Sequence, residues 1–328
     1  PRPGPDNARM RAPYPPSGED LGMIRCEGLT KRFGRRTAVD DLSFVVRGGT
    51  VTGFLGPNGA GKSTTMRMIM GLDVPSAGIS TLNGRRIHQL ASPMREVGVL
   101  LDAGYLHPTR RARHHLWALA ASNGIPKVRV DEVLAMVGLT EVAGQRVGKF
   151  SLGMKQRLGI AAALLGDPSI IILDEPANGL DPEGVHWIRT FLSHLADQGR
   201  TVFVSSHLLA EVALMADDLV IIGGGRLIAE TDVRTLTADA EGASVVVRGP
   251  DPTALRRAIT EAGGTVADAD GVLLVTGLDA AVIGRIAHDA HLELHELAPR
   301  TTSLEDAFLR LTAGAQEYRT AGPTGSPS

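Results

Sequence analysis

Apolar residues in this chain form two kinds of pattern. Short solid or alternating apolar runs predict strands at 23–28, 38–46, 51–55, 78–84, 97–101, 170–173, 201–204 and 219–222, the last forming a hairpin with 226–229. Three- and four-residue spacing predicts helices at 65–70, 110–122, 128–137, 154–165, 181–196 and 208–216. Strands that alternate with helices are typical of an α/β fold with a parallel sheet, and the long helical stretch predicts an insert at about 105–167.

The rhythm shortens after residue 243. Strands are predicted at 244–248, 271–276 and 292–297, and helices at 253–262, 280–290 and 304–311, which together indicate a small α+β domain at 243–312. His291 and His295 have metal-ligand spacing only on a helix, whereas their surroundings alternate as in a strand. The proline-rich residues 1–21 and the small, polar residues 313–328 are predicted to be disordered tails.

Composition narrows the function classes. The 328 residues are 43% apolar and 21% charged, and a net charge of −2 gives no electrostatic footprint for nucleic acid. No apolar run approaches the ~20 residues that span a bilayer, and the start of the chain has no apolar segment typical of a signal peptide. One cysteine excludes an internal disulfide and fits a reducing compartment.

A glycine-rich stretch between the strand at 51–55 and the following helix carries the main chemical signal. It matches the spacing G-x-x-x-x-G-K-[ST], whose backbone N–H groups surround phosphate oxygens at a helix N-terminus. The lysine is expected to neutralise the outer phosphates, and the serine hydroxyl to ligate Mg²⁺. The predicted phosphate-binding residues are Gly56, Pro57, Asn58, Gly59, Ala60, Gly61, Lys62, Ser63 and Thr64.

Two acidic residues and a histidine complete a predicted hydrolytic site. Asp174 and Glu175 follow the strand at 170–173, and His207 follows the next strand, so all three belong at the carboxyl edge of the sheet. Adjacent strand residues point to opposite sides. Asp174 is therefore assigned to Mg²⁺, Glu175 to the attacking water, and His207 to a hydrogen bond with the γ-phosphate.

Ser151 and Gly153 begin the last helix of the insert and form a second potential anion site. Their place on the insert separates them from the chain's own phosphate loop. This arrangement predicts a dimer in which each nucleotide lies between one loop and the partner's serine helix. Phe33, beside Gly34 in a basic turn, is interpreted either as a minor core anchor or as a platform for a nucleobase.

With these motifs in order, residues 22–235 resemble the ATP-binding subunit of an ABC transporter. Phe33 matches the adenine-stacking aromatic, residues 150–154 the LSGGQ signature, and Asp181 the loop that communicates across the dimer. The resemblance implies a P-loop NTPase with a RecA-like core sheet, an antiparallel β subdomain and a helical insert, in addition to the α+β domain. It also implies ATP and Mg²⁺ as cofactors, a homodimer or a dimer with a related subunit, and a separate transmembrane permease.

Two motifs depart from the family pattern. The signature has Leu152 and Met154 in place of a glycine and the glutamine, and Asp102 stands where a glutamine usually senses the γ-phosphate. Asp102 is retained as a candidate nucleotide and Mg²⁺ contact. Residues 151–157 and the tail motif at 303–308 resemble bacterial exporters of the daunorubicin-resistance or bacitracin-export type.

The expected function is an ATPase at the cytoplasmic face of the membrane that powers export of a drug, antibiotic or lipid-like compound. One alternative is a soluble ABC ATPase that acts on ribosomes or DNA, although the chain has a single cassette and no heptad run. Another is a regulator that binds ATP without hydrolysing it, which the presence of Glu175 and His207 disfavours.

Overall fold

The structure is a computed structural model that describes residues 23–102, 106–233, 235, 244–269 and 272–300. The predicted tails, the helix predicted at 304–311 and the motif at 303–308 lie outside these residues. The chain divides into two compact units between Glu230 and Thr231. No helix in the described part of the chain is both long and apolar enough to cross a membrane.

A six-stranded sheet organises the first unit, in the order β5-β6-β7-β3-β8-β9. The strands from β5 to β8 in this order pair in parallel. The central strands are buried throughout, as their solid apolar runs predict. The strands are β3 (Val51–Leu55), β5 (Val97–Leu100), β6 (Ile170–Leu173), β7 (Thr201–Ser206), β8 (Asp218–Gly223) and β9 (Arg226–Asp232).

A second, three-stranded sheet in the order β2-β1-β4 is antiparallel. Its strands are β1 (Ile24–Phe33), β2 (Arg36–Val46) and β4 (Ala77–Leu82). Phe44 on β2 stacks on Phe54 and Phe203 of the parallel sheet, with ring centroids 5.5 and 5.7 Å apart. These rings join the two sheets into one apolar core.

Helices surround the parallel sheet, and all of them except one short helix at Pro93–Glu96 lie where the sequence predicts them. Residues 112–163 between β5 and β6 form the predicted helical insert, and its last helix begins at Leu152 with Ser151 as its N-cap. The helices are α1 (Lys62–Ile69), α2 (Pro93–Glu96), α3 (Ala112–Ser122), α4 (Val128–Met136), α5 (Leu152–Ala163), α6 (Pro182–Asp197) and α7 (Leu209–Ala213).

The second unit is a four-stranded antiparallel sheet in the order β11-β12-β10-β13, with a buried core that it shares with two amphipathic helices. Its elements are β10 (Ser244–Arg248), α8 (Pro252–Glu261), β11 (Thr265–Ala269), β12 (Val272–Thr276), α9 (Ala280–Asp289) and β13 (Glu296–Arg300). The sequence analysis missed β11, since its alanines and aspartate give a weak strand signal.

The strand predicted at 292–297 is wrong in its bounds. Leu292 and Leu294 pack on the core of this unit, which produces the alternating pattern. The ladder nevertheless begins only at Glu296, which pairs with Arg248 at the end of β10. The alternation of apolar and polar residues therefore reflects side-chain packing here. The length of the neighbouring strand β10 determines where strand pairing begins.

Candidate functional site

The predicted phosphate loop connects the central strand β3 to helix α1. Gly59 and Gly61 have φ angles of 80° and 107°, in the left-handed region that side chains disfavour. A Cβ on Gly56 would lie 2.5 Å from the Ile222 carbonyl oxygen, and one on Gly61 would lie 2.7 Å from that of Ala38. Glycine is therefore required by conformation and by close packing at the base of the loop.

Lys62 extends back over this loop from the first turn of α1. Its side chain is 6% exposed, and Nζ donates a 2.6 Å hydrogen bond to the Gly56 carbonyl oxygen. Nζ also lies 3.3 Å from Glu175 Oε1. The ammonium group is thus held at the mouth of the loop, where its partners are one carboxylate and backbone carbonyls.

Glu175 and His207 meet at the carboxyl edge of the parallel sheet. Glu175 follows β6 and His207 follows β7, and His207 Nδ1 lies 2.8 Å from Glu175 Oε2. Each oxygen of the carboxylate therefore has a different neighbour, Lys62 for Oε1 and His207 for Oε2. Three of the side chains that the sequence assigned to the hydrolytic site, Lys62, Glu175 and His207, therefore form one contiguous group.

The backbone at Glu175 separates it from Asp174 in a way the sequence did not predict. β6 ends at Leu173 and Glu175 has φ 48°, so a left-handed turn, rather than strand alternation, directs the two carboxylates apart. The buried Ser205 hydroxyl accepts a 2.9 Å bond from the Glu175 N–H and donates to Asp174 Oδ1. Sequence reasoning missed Ser205, and its signal is the Ser-Ser-His run that ends β7.

We expect Ser205→Ala to lower the free energy of unfolding by about 1–3 kcal/mol, because it leaves the partly buried Glu175 N–H without its acceptor. Urea titration of the full chain measures this change. Ser193→Ala, on the partly exposed face of α6, is the control and should stay within about 0.5 kcal/mol of the unsubstituted chain. Equal stability of the two variants would contradict a structural role for the Ser205 hydroxyl.

A cavity of about 690 Å³ opens between the phosphate loop and the end of the β1–β2 hairpin. Most of its lining belongs to groups named from the sequence, but Arg36, Ala38 and Asn178 were missed. The two residues from β2 have no local signal, since only the packing of the hairpin brings them to the loop. The lining residues are Phe33, Arg36, Ala38, Asn58, Gly59, Ala60, Gly61, Lys62, Ser63, Thr64, Glu175, Asn178 and His207.

Phe33 lies at the rim of this cavity, with half of its side chain exposed. It therefore does not act as a core anchor, which was one of the two interpretations of this residue. The Lys31 ammonium lies 5.1 Å from the ring centroid. β1 and β2 extend to Phe33 and from Arg36, so only Gly34 and Arg35 form the turn between them.

The remaining candidate residues do not line the cavity. Ser151, Gly153 and Asp181 lie at the starts of α5 and α6, as N-caps or in the first turn. The turn that leads into α6 lies close to the start of α5, since a Cβ on Gly179 would lie 2.8 Å from the Leu152 side chain. Asp102, two residues after the end of β5, is exposed. The structure thus separates the signature segment from the chain's own phosphate loop.

Mg²⁺ requires oxygen donors, which two of the candidate residues provide. No cluster of three or more His, Cys, Asp or Glu in the described ranges could hold a metal ion. Mg²⁺ bound by one or two protein oxygens, with waters and phosphates completing the shell, requires no such cluster. The exposed Ser63 hydroxyl and the Asp174 carboxylate are oxygen donors of this kind, so the residues fit.

Comparison with curated proteins gives relatives over nearly the whole chain. An uncharacterized ABC transporter ATP-binding protein, YhcH of Bacillus subtilis, is 37% identical over 300 residues, covering 90% of this chain and 97% of the relative. Nod factor export ATP-binding protein I of Ralstonia nicotianae is 35% identical, covering 92% and 98%. The bacitracin transport ATP-binding protein BcrA of Bacillus licheniformis is 43% identical, covering 63% and 69%.

Solved structures give the same fold. The cbiO1 protein of Clostridium perfringens, described as part of the ABC transporter complex cbiONQ, is 26% identical with a TM-score of 0.60, covering 66% of this chain and 91% of that one. The dimeric ATP-binding cassette MJ0796, bound to ADP and Pi, has a TM-score of 0.58 at 24% identity, covering 64% and 99%. The second likeness supports the fold alone.

Two family models match the chain, one on each side of the boundary between its two compact units. A model described as ABC transporter matches residues 39–178, which contain the phosphate loop and both carboxylates. A second model, described as a domain of unknown function, matches residues 243–305. Together with relatives at 35–37% identity that cover nine tenths of the sequence, these matches show that the chain belongs to the family of ABC transporter ATP-binding proteins.

Proposed function

We propose that this chain binds ATP and Mg²⁺ and hydrolyses the nucleotide as the motor subunit of an exporter, and that it works as a dimer attached to a separate permease. The observation that carries the proposal is the group formed by Lys62, Glu175 and His207 at the mouth of the phosphate loop. These side chains provide a cation for phosphate, a base for water and a hydrogen-bonding group within one cavity.

Each group has a distinct task in this proposal. The loop N–H groups and the α1 N-terminus hold the phosphates, and Lys62 leaves its carbonyl and Glu175 partners to pair with them. Glu175, once released, accepts a hydrogen bond from the attacking water and orients it toward the γ-phosphate. His207, already within hydrogen-bond distance of Glu175, fixes the carboxylate and is available to the γ-phosphate.

Ser63 and Asp174 are the residues that would hold Mg²⁺, which when bound neutralises charge on the transferring phosphate. The Ser205 hydroxyl keeps Asp174 in position by donating to Oδ1. Asp102 remains a predicted contact with the nucleotide and Mg²⁺. It is exposed after β5 and does not line the cavity, so it would have to approach the nucleotide from outside.

The position of the signature segment supports dimerisation. Ser151 and Gly153 do not line the cavity that contains Lys62, so the second phosphate contact predicted from the sequence requires another subunit. Asp181, at the helix start beside the signature segment, is proposed to carry contacts across the same interface.

Mixing two inactive variants tests the shared site. Lys62→Ala lacks the phosphate cation, and Ser151→Glu blocks the signature helix with a side chain that repels phosphate. A mixed dimer restores one complete site, so the mixture should hydrolyse ATP although neither variant does so alone. Absence of activity in the mixture, with both variants folded and each able to pair with unsubstituted subunits, would contradict a site built from two chains.

The permease and the direction of transport are supported by the relatives. They are named for bacitracin transport and Nod factor export, and cbiO1 is described as part of a transporter complex. Such a partner would hold this chain at the cytoplasmic face of the membrane. Co-purification with a hydrophobic subunit, rather than with ribosomes or DNA, separates this proposal from a soluble ABC ATPase.

We expect Phe33→Ala to weaken ATP binding about 5- to 150-fold, the range for losing one stacked base. Phe33→Tyr should keep the affinity, because the aromatic face is retained. Titration with tripolyphosphate, which has no base, is the control and should give the same affinity for all three proteins. A parallel loss of tripolyphosphate binding would show that Phe33 supports the loop rather than the base.

A further inference from the structure

The helical insert carries a strongly basic surface that the nucleotide site does not use. We define the basic patch as the exposed side chains of Arg110, Arg111, Arg113, Arg146 and Lys149. The segments that carry it, 106–118 and 143–149, contain no aspartate or glutamate. None of the five residues lines the nucleotide cavity. The patch is therefore a separate feature of the surface.

Two of these arginines lie opposite each other. Arg111 and Arg146 form an isolated antiparallel bridge, held by backbone hydrogen bonds of 3.0 Å from Val147 to Arg110 and 3.1 Å from Ala112 to Gln145. Side chains at directly opposed positions are neighbours, and like charges there are destabilising. Such a pair indicates that the surface is shaped by something other than the stability of the free chain.

The surrounding charges do not neutralise this pair. Arg113 is paired with Asp131 at 2.9 Å, and the other four members of the patch have no ion-pair partner in the described part of the chain. Arg113 also lies in the first turn of α3, where the helix dipole disfavours a cation. Burial and the Arg110 guanidinium lower the pKa of the neighbouring His115. The local potential is positive, and an anionic partner would offset it.

Exposed apolar side chains lie next to the basic patch. Trp117, one turn after Arg113 on the same side of α3, is 47% exposed, and the Lys127 ammonium lies 5.5 Å from its ring centroid. Val128 is 63% exposed. Tryptophan beside lysine and arginine is typical of the headgroup region of a bilayer, where the ring is half buried and the cations reach phosphate.

We propose that the basic patch and Trp117 bind anionic lipid headgroups, so that the chain contacts the bilayer directly as well as through its permease. The inference rests on the proposed function, which puts the chain at the membrane. The cytoplasmic leaflet has a negative surface that attracts cations close to it. Each lysine or arginine there strengthens membrane binding about fivefold. The exposed tryptophan and valine favour lipid over an acidic protein segment, which would need only the charges.

Vesicle sedimentation with the full chain tests the proposal. Binding to vesicles of phosphatidylcholine with phosphatidylglycerol should exceed binding to pure phosphatidylcholine and should fall with added salt. The double variant Arg111→Gln/Arg146→Gln should lower the partition coefficient about thirtyfold. Arg257→Gln/Arg285→Gln, which removes two exposed arginines from the second unit, is the charge-matched control and should bind like the unsubstituted chain.

The fluorescence of Trp117 provides an independent test of vesicle binding. In a Trp187→Phe background its fluorescence should shift to shorter wavelength on anionic vesicles, and Arg111→Gln/Arg146→Gln should remove the shift. Equal binding to neutral vesicles, or an equal loss in the control variant, would overturn the proposal. So would loss of permease binding without any vesicle binding, which would assign the patch to an acidic protein segment. ATP turnover should be unchanged in all these proteins, so failure of the patch and failure of the ATPase function are distinguishable.

Discussion

Glu175→Gln is expected to slow ATP hydrolysis by about 10²–10⁴, the range for removing a general base, while ATP binds at least as tightly. The amide keeps the shape of the carboxylate and a hydrogen-bonding atom for His207, so the cavity should not change. It cannot accept a proton from water. In the structure the carboxylate lies 3.3 Å from Lys62 Nζ, so its loss also frees the ammonium for phosphate.

Single-turnover hydrolysis and nucleotide titration measure the two effects separately. The matched control is Glu183→Gln in the first turn of α6, which is exposed and does not line the cavity. It should turn over ATP like the unsubstituted chain. Normal hydrolysis by Glu175→Gln would remove Glu175 from the chemical step. Absence of ATP hydrolysis by the unsubstituted chain would instead favour the alternative of an ATP-binding regulator.

Lys62→Ala is expected to weaken the binding of ATP about 10- to 150-fold, which corresponds to the loss of a charge-assisted hydrogen bond of about 1.5–3 kcal/mol. The side chain is buried and already directed over the loop, so it is preorganised for phosphate. In this variant the affinity for tripolyphosphate should fall as much as the affinity for ATP, because Lys62 contacts phosphate rather than the base. Phe33→Ala should instead lower only the affinity for ATP.

Isothermal titration of the full chain with ATP and with tripolyphosphate checks this expectation. Lys127→Ala, which removes an exposed lysine from the insert, is the control and should leave both affinities unchanged. Unchanged tripolyphosphate affinity in Lys62→Ala would reject the role of the ammonium as phosphate clamp. Circular dichroism should show folded protein in every case, since the Gly56 carbonyl can bond to water once Lys62 is removed.

The sequence predicted most of the fold because the relevant signals are local. A strand buried on both faces is a solid apolar run, as at β6, and a helix start has its cap, as at Asp181. The phosphate loop is local in the same way, because its glycines, lysine and serine follow one another in the chain. Such patterns also predicted that Asp174, Glu175 and His207 end neighbouring strands.

Other features depend on contacts between distant segments. The bounds of β13 depend on where β10 ends, and β11 exists because β12 pairs with it. The cavity residues Arg36 and Ala38 are brought to the loop by the packing of two sheets on each other. None of these contacts changes the residue pattern within its own segment, so pattern analysis could not detect them.

The amino-acid sequence by itself determined the family, the phosphate loop and the identity of the acidic and histidine groups, because each of these is recognised from a short local motif. Only the tertiary structure decided how they are arranged. It gave Glu175 a left-handed backbone held by Ser205, paired its two oxygens with Lys62 and His207, and kept Ser151 away from the cavity. The physical reason is that these relations join residues tens to more than a hundred positions apart, which meet only when strands pair and helices pack.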